Sequence, residues 1–488
     1  MYWGNINWEK AKAYVNRLQI RIVKAVQKGK WNLVKRLQYL LVHSFYAKAL
    51  SVRRVTTNKG KRTAGVDNIL WKTAEDKIKA IYEMDIKCYS PLPLKRVYIE
   101  KFGKKEKRPL SIPTIKDRAM QALFLLALEP VAETTADKTS FGFRKYRSTH
   151  DAMSHIFNLM AKDSAPKWIL EGDIKGCFDN ISHKYLHENI HMDKTILRKF
   201  LKAGFVFEKE LFLTDAGTPQ GGPISPTLAN ATLDGMEKVL AQAFWVNSKG
   251  KIDKKHKNIG YINLIRYADD FIITAKNKEI AGKAQEVIKQ FLSTRGLILS
   301  EEKTTITNIH DGFDFLGWNF RKYKKKLIIK PSRNSINKVT KAIGSIIRDN
   351  KASSQKEVIL KLNQTIRGWA NYHQPVCSKL TYSKLDNMIW NMLWSWAKRR
   401  HPNKSNPWVM KKYWQRVGTR KWVFTNGNIT LINSFDTPVV RHIALKLDKN
   451  PFTDKAYFET RRQSQQRRRK AAFLNTTAAR TQVRVMNA

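Results

Sequence analysis

The chain has 488 residues, 42% of them hydrophobic, and carries 91 Lys and Arg against 40 Asp and Glu, a formal net charge of +51. That length corresponds to about three domains with large cores, and that charge calls for a polyanionic partner, nucleic acid being the obvious one. No apolar run approaches the ~18 residues of a membrane-spanning helix, the N-terminus holds no signal-peptide core, and three scattered cysteines, Cys88, Cys177 and Cys377, exclude a cysteine-rich zinc module and suit a reducing compartment.

Residues 1 to about 55 read as two basic amphipathic helices. Trp8, Ala11, Val15, Leu18, Ile22 and Val26 share one face, with Lys10, Lys12, Arg17 and Arg21 largely off it; Gly29-Lys30 interrupts, and Trp31, Val34, Leu37 and Leu41 resume. Such a basic face serves solvent or RNA equally well. Thr56 to Asp67 is a loop. Leu94 to Ile99 alternates like a strand, and Lys101 to Arg108 forms a basic tip around Gly103, of the kind that can close over a triphosphate. Helices follow over 117–135 and 151–160. The short strand Trp168-Ile169-Leu170 then leads to Asp173, where a carboxylate suits either a metal or the turn before a helix starting after Ser182.

Ala216 to Pro226 is dense in Gly and Pro. Ser225 then Pro226 reads as an N-cap with Pro at N1, and Leu228, Thr232, Met236 and Leu240 continue one helical face. After a lysine-rich insertion at 249–257, Leu264 to Ile273 reads as two apolar strands around a tight turn carrying Asp269 and Asp270. A helix over 280–295 completes a strand-loop-helix-strand-strand-helix order, typical of an α+β palm. Phe313 to Trp318 opens a strand pair ending near Pro331. Residues 335–400 read as all helical, with Trp390, Leu393, Trp394 and Ala397 at core spacing. From about 405 the chain is basic and aromatic. Arg461 to Lys470 has six basic residues in ten and reads as disordered until bound.

Adjacent carboxylates between buried strands repel, and a divalent cation is the simplest offset. Asp173 lies about a hundred residues from Asp269 and Asp270, yet all three fall at strand ends. If those strands are neighbours, the carboxylates converge. Two divalent ions roughly 3.5–4 Å apart then clamp an attacking 3′-hydroxyl and a leaving pyrophosphate, which is nucleotidyl transfer.

In order along the chain, the segment around Asp173 and Phe178, the run Gly217 to Pro226, Tyr267-Ala268-Asp269-Asp270 and Phe315-Leu316-Gly317-Trp318 resemble the successive blocks of a reverse transcriptase. Thr63-Ala64-Gly65-Val66-Asp67 is similar to the entry to the fingers. Arg367-Gly368-Trp369-Ala370-Asn371-Tyr372-His373 and His401-Pro402-Asn403-Lys404 resemble a thumb, or maturase domain X. The chain thus resembles group II intron-encoded proteins, a reverse transcriptase fused to a maturase, over nearly its whole length.

The resemblance implies an α+β right-hand polymerase with four parts. These are an N-terminal RNA-binding helical extension (1–60), fingers and palm (61–330), a thumb or domain X (331–404) and a basic DNA-binding region (405–488). It implies that Asp173, Asp269 and Asp270 are catalytic and bind two Mg²⁺. Lys101, Arg108, Phe178 and Gln220 would bind the incoming nucleotide, with Phe178 excluding a 2′-hydroxyl. Phe315, Leu316, Gly317 and Trp318 would grip the primer, and Lys10, Lys12, Arg17, Arg21 and Arg367 would hold RNA. The implied partners are group II intron RNA, an RNA template with DNA primer, a DNA target and dNTPs. The implied activity is RNA-directed DNA polymerisation with splicing and intron mobility. The expected setting is bacterial cytoplasm, or an organelle, without membrane.

Two departures stand out. Ser111 replaces the family's usual Gly before Ile112-Pro113, and no cysteine follows Cys377, so the H-N-H endonuclease of many relatives is expected to be missing. The rival readings are a splicing factor that keeps only the scaffold, a domesticated reverse transcriptase without maturase role, and an RNA-dependent RNA polymerase. Three intact carboxylates, the maturase-like thumb and the bulk of Phe178 argue against them in turn.

Overall fold

The computed structural model describes residues 2–486 except 101–106, 219–220, 248, 254–257, 259 and 419. The chain falls into two compact units. One holds the residues up to Ala152, Pro166–Ile306 and Leu445–Phe458; the other holds Met153–Ala165, Thr307–Ala444 and the chain from Glu459 onward.

The first unit forms around helix Ile115–Thr135, buried over most of its length and started by Thr114, whose hydroxyl accepts from the Asp117 N–H. Pro130 inside it has no N–H, so the Leu126 carbonyl four residues back loses its helical donor. The Gln19 amide donates to that carbonyl at 2.8 Å, and Gln38 donates to the neighbouring Ala127 carbonyl at 3.1 Å. Both glutamines are buried and come from the N-terminal helices.

Those helices number three, not the two expected: Trp8–Gln27, Trp31–His43 and Phe45–Thr57. Ser44 makes the extra break. Its backbone is extended, and its hydroxyl accepts from the Ala47 N–H to start the third helix. A one-residue break hardly disturbs apolar spacing, so periodicity passes over it. The expected apolar face is buried at Ala11, Val15, Leu18, Ile22 and Val26, while Trp8 stays half-buried under the Arg53 guanidinium, 4.4 Å from the ring centre.

Eight strands follow: β1 (Leu94–Glu100), β2 (Lys107–Ile112), β3 (Trp168–Gly172), β4 (Phe205–Phe207), β5 (Glu210–Phe212), β6 (Asn263–Tyr267), β7 (Asp270–Ala275) and β8 (Thr305–Asn308). They make two sheets, ordered β2-β1-β4-β5 and β6-β7-β3-β8. β7 buries Phe271 through Ala275 without alternation, as a central strand covered on both faces does.

The glycine-rich segment before this sheet corrects two expectations. Ile224, not Ser225, is the N-cap of helix Ser225–Leu233, and the buried Ser225 hydroxyl has no hydrogen-bond partner among the described residues. The expected single helix through Leu240 is broken at Asp234-Gly235 and restarts as Met236–Phe244. Gly235 adopts φ +101°, and its N–H donates to both Asp137 carboxylate oxygens at 3.1 Å. Tertiary partners at Asp137 and Arg266 thus override the helical periodicity.

In the second unit, β9 (Phe313–Phe315), β10 (Trp318–Tyr323) and β11 (Lys326–Pro331) form a sheet ordered β11-β10-β9. Helices Arg333–Asp349, Gln355–His373 and Lys379–Arg400 pack around Ile343, Leu362, Ile366, Leu385, Ile389 and Leu393. Trp390 and Trp394 are only half-buried and stack on each other at 5.7 Å; Trp396 and Ala397 fill the core with Leu393. A final hairpin, β12 (Trp414–Val417) and β13 (Arg420–Phe424), closes on the helices.

The tail also departs from expectation. Residues 461–470 belong to a helix, Lys455–Met486, and are not disordered. Its first turns are tied to the backbone at Ile443: Gln465 accepts from the Ile443 N–H at 2.9 Å, and Arg461 donates to the Ile443 carbonyl at 2.6 Å. Composition undervalued these specific hydrogen bonds.

Gln19→Leu should leave the Leu126 carbonyl buried and bare, lowering unfolding free energy by about 1–3 kcal/mol. Adding Pro130→Ala restores an N–H at the required position, so the double variant should recover most of that loss in a denaturant titration. Additive losses in the cycle would contradict the assignment.

Candidate active site

Strands β6 and β7 pair in register Tyr267↔Asp270, leaving Ala268 and Asp269 as a two-residue turn. Such hairpin turns need positive φ at the first central residue, usually glycine; here Ala268 takes φ +59°. The surroundings hold it there. Phe141 N–H donates to the Arg266 carbonyl at 2.8 Å, and Arg266 N–H to the Thr139 carbonyl at 3.0 Å. This lays residues 139–142 flat along the hairpin. At Gly142 any Cβ would collide with the Ala268 nitrogen, so only glycine allows the approach.

Beneath the turn lies Arg266, fully buried. Its guanidinium pairs with Asp234, donates to Asn230 Oδ1 at 3.1 Å and reaches the Ala268 carbonyl at 3.3 Å; Asn230 in turn donates to the Gly142 carbonyl at 2.7 Å. Burial pushes the Asp234 carboxyl up, and Arg266 opposes that. The pair holds the turn at its Ala268 carbonyl.

β3 pairs antiparallel with β7 in register Gly172↔Phe271, so the next residue, Asp173, stands beside Asp270. The chain after Asp173 is fixed by residues 298–300: Lys175 N–H donates to the Ile298 carbonyl at 3.0 Å, and Ser300 N–H to the Asp173 carbonyl at 2.8 Å. The same tether brings in Lys303, whose ammonium is ion-paired with Asp173.

Burial and the charge of Asp173 raise the Asp269 carboxyl, with Arg108 and Lys303 pulling the other way. Burial, then repulsion from Asp269 and Asp173, pushes Asp270 up to about 7. Asp270 is itself exposed, so repulsion is the larger physical part of that rise. Lys303 is raised by its hydrogen bond to Asp173 and the negative charges around it. Burial, with Asp269 adding to it, pushes the Cys177 thiol up to about 12, so it stays protonated and offers no soft thiolate ligand.

The donor set is therefore three carboxylates, which suits a hard divalent cation. Among the described residues no three His, Cys, Asp or Glu side chains already surround a common point at ligand spacing. Lys303 holds an Asp173 oxygen instead, supplying positive charge where the carboxylates repel.

The other expected residues are distributed as follows. Arg108, on β2, is exposed and within electrostatic reach of Asp269. Phe178 is half-buried on the short helix Cys177–Asn180, with Phe143 edge-on at 6.3 Å. Its carbonyl accepts from the Thr218 N–H at 2.6 Å, and at Gly217 (φ +86°) a Cβ would come within 2.7 Å of that carbonyl. The glycine run thus packs directly against the Phe178 backbone. Lys101 and Gln220 lie outside the described residues. Lys10, Lys12, Arg17 and Arg21 are all exposed on the first helix.

Phe315 to Trp318 and Arg367 belong to the second unit. Leu316 and Gly317, at φ +51° and +82°, form the β9–β10 turn, while Phe315 and Trp318 are buried beneath it. Tyr372 stacks on Trp318 at 4.6 Å and donates to the Leu316 carbonyl at 2.7 Å. Arg367 is exposed on helix Gln355–His373.

Lys303, Arg266 and Gly142 escaped the sequence reading. Lys303 is one of 91 basic residues, and only the 298–300 tether singles it out. A basic residue inside the apolar run before the turn was the available signal for Arg266.

A carboxylate-bearing hairpin beside a third strand-end carboxylate, under a basic strand pair, is the palm of a template-directed polymerase. Residues 99–320 match the family described as reverse transcriptase (RNA-dependent DNA polymerase), residues 3–84 its N-terminal domain, and residues 336–414 the group II intron maturase-specific domain. Group II intron-encoded protein LtrA of Lactococcus lactis subsp. cremoris is 30% identical over 421 residues, covering 69% of each chain. Protein YkfC of Escherichia coli (strain K12) is 30% identical over 349 residues, 64% of this chain and 88% of that protein. The chain belongs to the group II intron-encoded reverse transcriptase–maturases: an RNA-directed DNA polymerase with a role in intron splicing. Reverse transcriptase domains are nucleotidyltransferases that generally use divalent metal, and the maturase domain implies intron RNA as a partner. Among the described residues no helix is long and apolar enough to cross a membrane.

A carboxyl raised in the fold favours the folded state when protonated. Stability contributed at Asp270 is therefore fully present near pH 4 and lost as pH rises through 7. Metal-free Asp270→Asn should melt above wild type at pH 8, by about 1 kcal/mol once solvent screening is allowed for, and match it near pH 4. Divalent metal should raise the wild-type melting temperature at pH 8 more than at pH 5. Equal wild-type and variant melting at pH 8 would contradict the clustered carboxylates.

Proposed function

We propose that Asp173, Asp269 and Asp270 hold two Mg²⁺ ions and are the catalytic residues of nucleotidyl transfer from dNTPs to a DNA primer on an RNA template. The observation that carries this reading is the β3–β7 register, which sets Asp173 beside Asp270 and next to the turn residue Asp269. When bound, the ions supply Lewis-acid stabilisation of the attacking and leaving oxygens. The chain's own residues then have separate tasks. Arg108, with Lys101, neutralises the triphosphate. Phe178, backed by the Gly217–Thr218 backbone, fills the space a 2′-hydroxyl would need, and Gln220 lines the same pocket. Lys303 gives up Asp173 when the site is filled and returns when it empties. The turn Leu316-Gly317, stiffened by Phe315, Trp318 and Tyr372, grips the primer end.

The RNA role is assigned to surfaces that carry none of these groups. Lys10, Arg17 and Arg21 present an exposed cationic face on the first helix, Lys12 is exposed on its other side beside Glu9, and Arg367 is exposed on the thumb. We assign residues 1–60 to RNA binding, 61–330 to fingers and palm, 331–404 to the thumb or domain X, and 405–488 to the DNA target during intron mobility. Cys88, Cys177 and Cys377 are all free thiols, which fits a reducing compartment, the bacterial cytoplasm or an organelle.

Asp269→Asn removes one charged oxygen ligand with almost no change in volume and relieves like-charge repulsion, so the palm stays folded. Primer extension should fall on the order of a hundredfold or more, while splicing of the cognate intron stays near wild type. Loss of splicing in folded Asp269→Asn protein would mean that the two activities share the site.

A further inference from the structure

The second unit contains a cavity of about 290 Å³ that the polymerase reading leaves unused. Its walls are Trp390, Leu393, Trp414, Leu431 and Ile432, and its mouth carries Arg420, Lys421 and Trp422. Trp422 is the anomaly. It is 58% exposed, yet it holds φ at +63°, a left-handed backbone that a bulky side chain adopts only under constraint. The cause is a bulge in the β12–β13 hairpin. Gln415 pairs with Val423 and Val417 with Arg420, so Arg416 alone faces both Lys421 and Trp422. Bulges of this kind re-aim a side chain. Here the bulge leaves an indole beside the cavity and in water, a costly place for it in the free protein.

The Trp414 side chain is 2% exposed and forms part of the wall. Arg420 is already committed, donating to Asp436 at 2.7 Å, whereas Lys421 is exposed at the rim. The cavity therefore offers flat aromatic walls and a cation at the mouth. A nucleotide matches both features: a base with a π-face, and a phosphate outside. At this volume the cavity is sized for one base, just below the range of drug-sized sites.

We propose that this cavity is a receptor for a single unpaired nucleotide of the intron RNA, with the base stacked against Trp422 and its phosphate on Lys421. RNA is the chosen occupant because the walls Trp390, Leu393 and Trp414 fall within the residues that match the maturase-specific domain; Lys421 and Trp422 at the mouth come from the segment assigned to the DNA target, so single-stranded DNA is the competing occupant. The proposal rests on the intron-RNA reading of that domain and adds a defined contact to it. The backbone strain at Trp422 is then the cost of presenting the ring, and glycine at this position relieves it.

The test is nucleotide-resolution chemical probing of the cognate intron RNA bound to full-length protein, wild type and variants. One unpaired nucleotide should be protected by wild type and by Trp422→Phe, and become reactive with Trp422→Ala and Trp422→Gly, while the rest of the footprint persists. Trp422→Gly should also melt about 2 °C above wild type, which separates loss of contact from loss of fold. A footprint that Trp422→Ala and Trp422→Gly leave unchanged overturns the proposal. Protection that depends on Trp422 only with single-stranded target DNA overturns the choice of RNA. No footprint from the wild-type protein at all removes the intron-RNA reading itself, and this site with it.

Discussion

Three carboxylates are held together against their mutual repulsion, and much of the first unit supplies the restraint. Left to themselves, Asp173, Asp269 and Asp270 would move apart; the pressure shows in Asp270, pushed up to about 7. The opposing clamp is Arg266, fully buried and bound to Asp234, Asn230 and the Ala268 carbonyl. A buried ion pair of this kind adds little net stability over an apolar pair, but losing one partner is severe, commonly 3–5 kcal/mol. Its value here is geometric. It fixes a turn whose left-handed residue is alanine, in a place where residues 139–142 leave no room for rearrangement.

The same logic explains Lys303. Three clustered carboxylates carry excess negative charge, and a tethered ammonium offsets part of that excess. The lysine is exposed and ion-paired with Asp173. The buried Arg266 and the exposed Lys303 thus divide the work: one fixes the scaffold, the other balances the charge.

Much of this was legible in the sequence because it is written in local patterns. Alternating or continuous apolar runs marked the β6–β7 hairpin and β3, and the carboxylates stood at their ends. The apolar face of the first helix was read almost residue for residue. What stayed hidden depended mostly on partners distant in sequence, and at Ser44 on a local cap. Ser44 splits a helical stretch with a single hydroxyl. Asp234-Gly235 breaks another because Arg266 and Asp137 draw it away from helical geometry. The arginine-rich tail looked too polar to fold, yet Gln465 and Arg461 anchor it on Ile443. Tryptophan spacing at 390 and 394 pointed to core, whereas Trp396 took the interior and left those two rings half open. Each miss replaces a periodic signal with a specific contact, local at Ser44 and tertiary elsewhere.

The central claim is that the three strand-end carboxylates bind divalent metal at one place. Replacing the metal with Fe²⁺ and generating hydroxyl radicals in the presence of ascorbate and peroxide cuts the polypeptide next to the bound ion. The account predicts two dominant cuts in wild-type protein, one close to Asp173 and one within residues 267–271. Both should be suppressed together when Mg²⁺ is added in excess. Cleavage at only one of these segments, or dominant cleavage elsewhere in the chain, would contradict a shared metal site.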